Sequence, residues 1–322
     1  MDQWVIGVDL GGTLIRAIRT DLEGERVARA QLPTEAQSGG EAVMERINTA
    51  IEEVMHGAEP DEVLGIGVGA PGPIDADGRI YDPPNLPDWG DLSLSKRIHD
   101  RFNLPAYAGN DANLAALGEH RFGAGQQVDD MVYVTVSTGI GGGIISGGRL
   151  LLGARGYAAE IGHQTLVADG PICGCGQPGH LEALASGPAI ARNAKEHLDA
   201  GASSTITDFS EEITAESVAE AAQAGDELAR ELLAEAGFYI GLGLANLIHV
   251  LEPQRVLIGG GVSQAGDLLF EPIRETVKQS VMSPIYLDVE ILPAALGADV
   301  GLMGAVALVL SSSMSSSMSS SV

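Results

Sequence analysis

Lysine is nearly absent from this chain: Lys96, Lys195 and Lys278 are the only three in 322 residues. None follows a glycine, so the G-K-[ST] end of a Walker A loop does not occur and a P-loop NTPase is excluded. Basic residues are scarce overall, 18 against 44 acidic. The formal charge of −26 opposes a broad electrostatic grip on nucleic acid or an anionic membrane, and neither is expected as a partner. Two cysteines are too few for a disulfide framework in a chain this long. The amino end, Met1-Asp2-Gln3-Trp4, lacks the basic and apolar regions of a secretory signal, which predicts a cytoplasmic protein. The stretch from Ala236 to Leu251, free of Asp, Glu, Lys and Arg, is too short to span a bilayer comfortably. G-x-S-x-G, H-E-x-x-H and H-R-D are also missing, which removes the usual serine hydrolase, zincin and protein kinase signatures. No period of about 20–50 residues repeats, so a solenoid or propeller is not expected.

What is present is a foldable chain, 45% hydrophobic and 19% charged, with a length that suggests two domains. Residues 4–32 read as three strands in a meander, with Asp21-Leu22-Glu23-Gly24 as a turn. Val43, Met44, Ile47, Ile51 and Val54 recur at helical spacing and are followed by an apolar strand at 63–68, which implies a parallel crossover. Further helices are predicted at 92–102, 112–121, 215–224, 227–250 and 266–280, and strands at 131–136, 143–150, 255–259 and 286–291. The class is α/β with a mixed sheet in each half. The Pro-, Gly- and Asp-rich segment 71–89 is a long loop of the kind that usually carries function. Residues 311–322, SSSMSSSMSSSV, read as a disordered tail outside the fold.

Three glycine clusters follow predicted strands. Asp9-Leu10-Gly11-Gly12-Thr13 offers bare backbone N–H groups and a hydroxyl to a phosphate, with Asp9 placed to hold magnesium through water; the alternative is an ordinary Gly-Gly hairpin. Ser137-Thr138-Gly139-Ile140-Gly141-Gly142-Gly143 has the same build, and together the two suggest a phosphate clamp. Gly259-Gly260-Gly261 would let a flat purine lie against the chain, or would serve a tight strand-to-helix turn. Gly67-Val68-Gly69-Ala70-Pro71-Gly72 matches G-x-G-x-x-G, but Pro71, Pro73 and Asp75 oppose an immediate helix, so the dinucleotide reading fails. Asn110-Asp111-Ala112-Asn113 lies where a strand passes into a helix, and Asp111 is either a reactive carboxylate or a helix cap. His163, Cys173, Cys175 and His180 supply four ligands for tetrahedral zinc in a Gly/Pro-rich loop, and a closed set of four protein ligands makes such a metal structural. The alternative, a Cys173–Cys175 disulfide, closes a very small strained ring.

The order of these motifs resembles the ROK family of sugar kinases, nearest to its bacterial glucokinases. The residues that carry the resemblance are Asp9 to Thr13, Pro71 to Asp75 with Gly78, Pro84 to Trp89, Asn110 to Asn113, Ser137 to Gly143, Glu160 to His163, Cys173 to Glu182, and Gly259 to Val262. The resemblance covers roughly residues 4–310 and implies the two-domain actin-like ATPase (ribonuclease H-like) fold of the hexokinase superfamily. A small domain is expected over 1–110 with a returning helix near 297–310, and a large domain over 111–296. By resemblance Asp111 is the general base that takes the proton of a sugar hydroxyl attacking the γ-phosphate of MgATP. Gly72, Asn85, Asn110, Glu160, His163 and Glu182 fall at sugar-binding positions, although Glu160 and Glu182 alone would read as surface charge. Asp9, Gly11, Gly12, Thr13, Ser137, Thr138, Gly139, Gly141, Gly259, Gly260 and Gly261 fall at nucleotide-binding ones. The family also implies a homodimer or homotetramer. His180 stands where many relatives carry a third cysteine, and Leu14 where they often carry a polar residue. The implied reaction is ATP-dependent phosphorylation of glucose, with N-acetylmannosamine, fructose or allose as alternative acceptors. Sugar-responsive repressors share the core, but they place a winged helix-turn-helix ahead of the first strand, here at Trp4, and an acidic chain opposes DNA binding.

Overall fold

The computed structural model describes residues 3–75, 77–81, 83 and 85–319. Met1 and Asp2, Pro84 of the P-N-L-P-x-W segment and the tail residues 320–322 lie outside the described residues. In chain order the elements begin with β1 (Trp4–Leu10), β2 (Leu14–Thr20), β3 (Arg26–Pro33), α1 (Gly40–Met55), β4 (Val63–Ala70), α2 (Leu94–Phe102), β5 (Ala106–Asn110) and α3 (Asp111–Phe122). They continue with β6 (Met131–Val136), β7 (Ile140–Ser146), β8 (Arg149–Leu150), α4 (Leu181–Ala185), α5 (Gly187–Asp199), α6 (Ala215–Ala224) and α7 (Glu227–Leu251). The last are β9 (Arg255–Gly259), α8 (Asp267–Ser280), β10 (Glu290–Pro293) and α9 (Val300–Ser319). The chain divides into two units: 1–127 with 149–159 and 295–322, and 128–148 with 160–294.

The first unit holds a sheet in the order β3-β2-β1-β4-β5, with β1, β2 and β3 antiparallel and β4 and β5 parallel to β1. Period-two alternation sorts its side chains. Ile6, Val8 and Leu10 join α1 and α2 in one core, while Val5 and Ile18 pack with Leu302, Met303, Val306, Val309 and Leu310 of α9 in another. α9 lies so close to the sheet that a Cβ on Gly67 would collide with the Ala305 carbonyl oxygen, which gives the G-x-G-x-x-G run a packing reason.

In this unit the structure departs from expectation twice. The boundary does not fall at 110/111, because α3 packs along α9 and continues the first unit to residue 127. The helix near 297–310 runs on to Ser319, past the start of the expected tail. There the Ser311 hydroxyl donates to the Ala307 carbonyl (2.8 Å) and that of Ser313 to Val309 (2.6 Å), so these serines satisfy themselves on their own helix.

The second unit carries strands in the order β10-β9-β6-β7, with β6 and β7 antiparallel and β9 and β10 parallel to β6. Gly141, Gly142 and Gly143 lie inside β7, paired with Thr135, Val134 and Tyr133, so the glycine run is mostly strand and the turn shrinks to 137–139. The expected strand 143–150 divides at Gly147-Gly148, and that at 286–291 gives way to a 3₁₀ turn (Pro284–Asp288) before β10. α4 and α5 were not anticipated; Ser186 caps α5 and Pro188 falls in its first turn, an unread start signal. α7 is long and apolar enough by length and composition to cross a membrane, yet Leu232, Leu233, Ile240, Leu244 and Ile248 are buried, and it packs on α8. Its N-cap Asp226 accepts from the Ala229 amide (2.9 Å), the Ser204 hydroxyl (2.9 Å) and the Thr205 amide (2.6 Å). Burial raises this carboxyl, but the donors outweigh it and hold the group below the usual Asp range.

Candidate functional site

In the first unit, the Gly11 amide donates to the Leu14 carbonyl (2.9 Å) to close the β1–β2 hairpin. Thr34 braces the turn, its amide donating to Thr13 O (2.8 Å) and its hydroxyl to Gly11 O (2.6 Å). A Cβ on Gly12 would stand 2.9 Å from the Asn85 Cβ, so the expected phosphate turn and the expected sugar-binding asparagine adjoin. Asp9 is engaged by a neighbour that the motif reading missed. Arg16 sits opposite it in the hairpin register, donates through Nε to Asp9 Oδ2 (3.0 Å) and through Nη1 to the Ala298 carbonyl (2.7 Å), and also pairs with Asp9 through Nη2. The alternation of β1 and β2 around Gly-Gly was the signal that could have found it.

The Asn110–Asp111 junction resolves the capping alternative. Asn110 Oδ1 accepts from the amides of Ala112 (3.1 Å) and Asn113 (3.2 Å), and its Nδ2 donates to the Gly72 carbonyl (3.2 Å). Asn110 is therefore the cap of α3 and brings Gly72 with it. Asp111 occupies the first helical position, exposed, with Oδ1 accepting from the Ala112 amide (2.8 Å).

The second unit carries the remaining candidates. The Ser137 amide donates to Gly139 O (2.9 Å), and the Gly187 amide, at the start of α5, donates to Ser137 O (2.8 Å). Ser137 and Thr138 open onto a cavity of about 860 Å³ lined also by Pro188, Thr214, Gly261 and Gln264, with Glu212, Glu216 and Glu220 at its wall. No sequence motif marked Thr214, Gln264 or the three glutamates. The late glycine cluster splits by role: of its three residues Gly261 lines the cavity, and a Cβ there would meet nothing within 4 Å. Gly260 has φ of 88°, and its Cβ would collide with the Val136 carbonyl oxygen; a Cβ on Gly259 would lie 2.6 Å from the Tyr133 hydroxyl. The tight-turn reading thus accounts for Gly260, whereas Gly259 ends β9 where Tyr133 leaves no room for a side chain.

Glu182, in the first turn of α4, links two features. Its Oε2 accepts from the Ile140 amide (3.0 Å) just after the Ser137–Gly139 turn, and its Oε1 accepts from the Cys173 thiol (3.4 Å). Cys173 and Cys175 are free, so the disulfide alternative is not formed. The ligand atoms of His163, Cys173, Cys175 and His180 lie within 4.8 Å of one another. Cys173 Sγ is 3.7 Å from His163 Nδ1, and Cys175 Sγ is 3.2 Å from His180 Nδ1. Bonds of about 2.0–2.3 Å to zinc give tetrahedral edges of this size, so the donor set fits such an ion. Burial pushes the Cys173 thiol up to about 11, and the Glu182 carboxylate acts in the same direction. His163 Nδ1 points to the thiol, while its Nε2 stands 3.9 Å from Glu160 Oε2, so the two ring nitrogens face different partners.

The candidates thus form two sets: Asp9 to Thr13, Gly72, Asn85, Asn110 and Asp111 on the first unit, and the remainder on the second. The ROK family pattern matches residues 5–312. The chain is 38% identical over 310 residues to a protein named glucokinase from Halalkalibacterium halodurans, covering 94% of each. It is 37% identical over 309 residues to a glucokinase from Thermotoga maritima, covering 95% of this chain and 96% of that one. It is also 32% identical over 312 residues to a protein named putative xylose repressor from a Caldicellulosiruptor species, covering 95% of this chain and 78% of that one. Among solved structures, a ROK family glucokinase from Streptomyces griseus in complex with glucose and AMPPNP matches with a TM-score of 0.79 and 37% identity, covering 95% of this chain and 98% of that one. With two mixed, helix-flanked sheets of the actin-like ATPase fold, this chain belongs to the ROK family.

Proposed function

We propose that this protein is an ATP-dependent sugar kinase that phosphorylates glucose at its 6-hydroxyl. The observation that carries the reading is the cavity that joins the Ser137–Gly139 turn to Gly261, a glycine- and hydroxyl-edged space of a size that suits a nucleotide. In this reading the nucleotide arrives with Mg²⁺, and the turns at Gly11–Thr13 and Ser137–Gly139 offer main-chain donors to its phosphates. By the family resemblance, Gly72, Asn85, Asn110, Glu160, His163 and Glu182 are the residues assigned to the sugar hydroxyls. Asp111 accepts the proton of the attacking hydroxyl; the new oxygen–phosphorus bond forms as the bond to the bridging oxygen of ADP breaks.

Zinc held by His163, Cys173, Cys175 and His180 would supply no open coordination position, and its contribution would be structural. His163 would then be fixed by the metal through Nδ1, leaving Nε2 directed to the Glu160 side. We place the protein in a reducing cytoplasm, which suits two free thiols, and propose a homodimer.

Kinship with a putative xylose repressor raises a second reading, a sugar-responsive regulator. The charge of −26 argues against a DNA grip in the ROK core. The deciding experiment is ADP release from ATP with glucose, N-acetylmannosamine, fructose, allose and xylose in parallel. Glucose is expected to give the highest kcat/KM. Absence of sugar-dependent ADP release across the panel refutes the kinase reading, and a different best sugar refutes glucose alone.

A further inference from the structure

Glu119 is the one Asp, Glu, Lys or Arg side chain that is fully buried among the described residues, and the reaction proposed above gives it no role. An ionisable group removed from water carries a desolvation cost that hydrogen bonds must offset, so its partners indicate its work. Here both carboxylate oxygens accept main-chain amides, from two segments far apart in the sequence. Oε2 accepts from Ala124 (2.9 Å) and Oε1 from Leu296 (2.8 Å). The Glu119 carbonyl also takes the amides of Gly123 (3.0 Å) and Gly125 (2.9 Å).

The two segments held in this way are no random pair. The chain first leaves the first unit after Gln127, re-enters it over 149–159, and returns to it for the last time at Ala295. One clipped amide therefore lies just before the first exit and the other just after the last return. Glu119 itself sits near the end of α3, the helix whose first residue is Asp111.

We propose that Glu119 is a positioning residue for phosphoryl transfer: its carboxylate clips the first exit segment and the last return segment together, and so fixes two of the four covalent links between the unit that holds Asp111 and the unit that holds the nucleotide cavity. The catalytic part rests on the kinase reading, whereas the clip itself does not. Because the proposed base and the nucleotide cavity belong to different units, loosening the links should lower kcat more than it weakens nucleotide binding.

The test uses the full chain with Glu119→Gln, which keeps shape but turns one acceptor into a donor facing a main-chain N–H. Gly123→Ala serves as the second variant, since a Cβ there would collide with the Glu119 carboxylate and displace it without removing it. Hydrogen exchange resolved over 123–127 and 294–297 should accelerate about tenfold in both segments, with β1 and β6 unchanged. kcat should fall about tenfold, with KM for ATP within about twofold of the parent. Unchanged exchange at both segments in both variants overturns the clip. Faster exchange with unchanged kcat, or a uniform rise across the whole chain, makes Glu119 a stabilising residue and overturns the positioning role. A parent chain without sugar kinase activity defeats the kinase reading and the catalytic part together, while the exchange result still decides the clip.

Discussion

Replacing two adjacent glycines should have opposite consequences. Gly260→Ala puts a side chain at φ of 88° and drives its Cβ into the Val136 carbonyl oxygen. A backbone region that is nearly glycine-only costs about 1–3 kcal/mol, and overpacking against main chain about 1–3 kcal/mol more. The sum, about 2–6 kcal/mol, corresponds to a fall in Tm of roughly 5–20 °C for a domain of this size. Gly261→Leu adds a larger group, but its Cβ meets nothing within 4 Å and enters the cavity. Stability should stay within about 0.5 kcal/mol, while KM for ATP rises about tenfold as the nucleotide loses room. Thermal melts and ATP titrations at saturating glucose read both quantities. If Gly261→Leu melts as early as Gly260→Ala, or leaves KM for ATP unchanged, the division of this cluster into a turn and a nucleotide wall is refuted.

Asp111→Asn keeps the shape of the side chain but removes the proton acceptor, so kcat should drop about 10²–10⁴-fold with KM for glucose nearly unchanged; a normal kcat in a coupled assay contradicts the base assignment. Elemental analysis should find one zinc per chain, and Cys173→Ser should lose both the metal and a large share of a folding contribution on the order of 10 kcal/mol; metal-free parent protein of unchanged stability would remove the site. Asp226→Ala should cost about 1 kcal/mol at neutral pH through the lost α7 cap. Because hydrogen bonds hold Asp226 below its ordinary value, its contribution is complete above that value and lost as pH falls through the folded one. The parent and Asp226→Ala melts should therefore converge on acidification, and a gap that widens as the pH falls contradicts the assignment.

Local pattern was the readable part of this fold. Alternation from Trp4 to Leu32 foretold the β1–β3 meander, and the spacing of Val43, Ile47, Ile51 and Val54 foretold α1, because each signal spans a few neighbouring residues. The same alternation already paired Asp9 with Arg16, which motif matching overlooked. What composition misjudged was settled by partners distant in the chain. Gly141 to Gly143 look like loop until β6 supplies their hydrogen bonds, and α3 looks like the start of a new domain until α9 packs along it. That His163, Cys173, Cys175 and His180 cluster was legible because such residues are rare in this sequence and fall close together along it. The cavity wall at Thr214 and Gln264 was not, because a concave shape is a property of packed helices and leaves no spelling of its own.

The position of α9 has a consequence for synthesis. The sheet that begins at Trp4 keeps Val5 and Ile18 uncovered until Leu302 to Leu310 have been made. At about 5–20 residues per second, the interval between Gln127 and Ala295 lasts on the order of ten to thirty seconds on the ribosome. During that time the amino-terminal strands are a nascent surface without its lid, while the intervening unit has all its own strands before translation ends. The unit that starts first is therefore completed last, and its dependence on chaperone shelter should be set by the pace of translation.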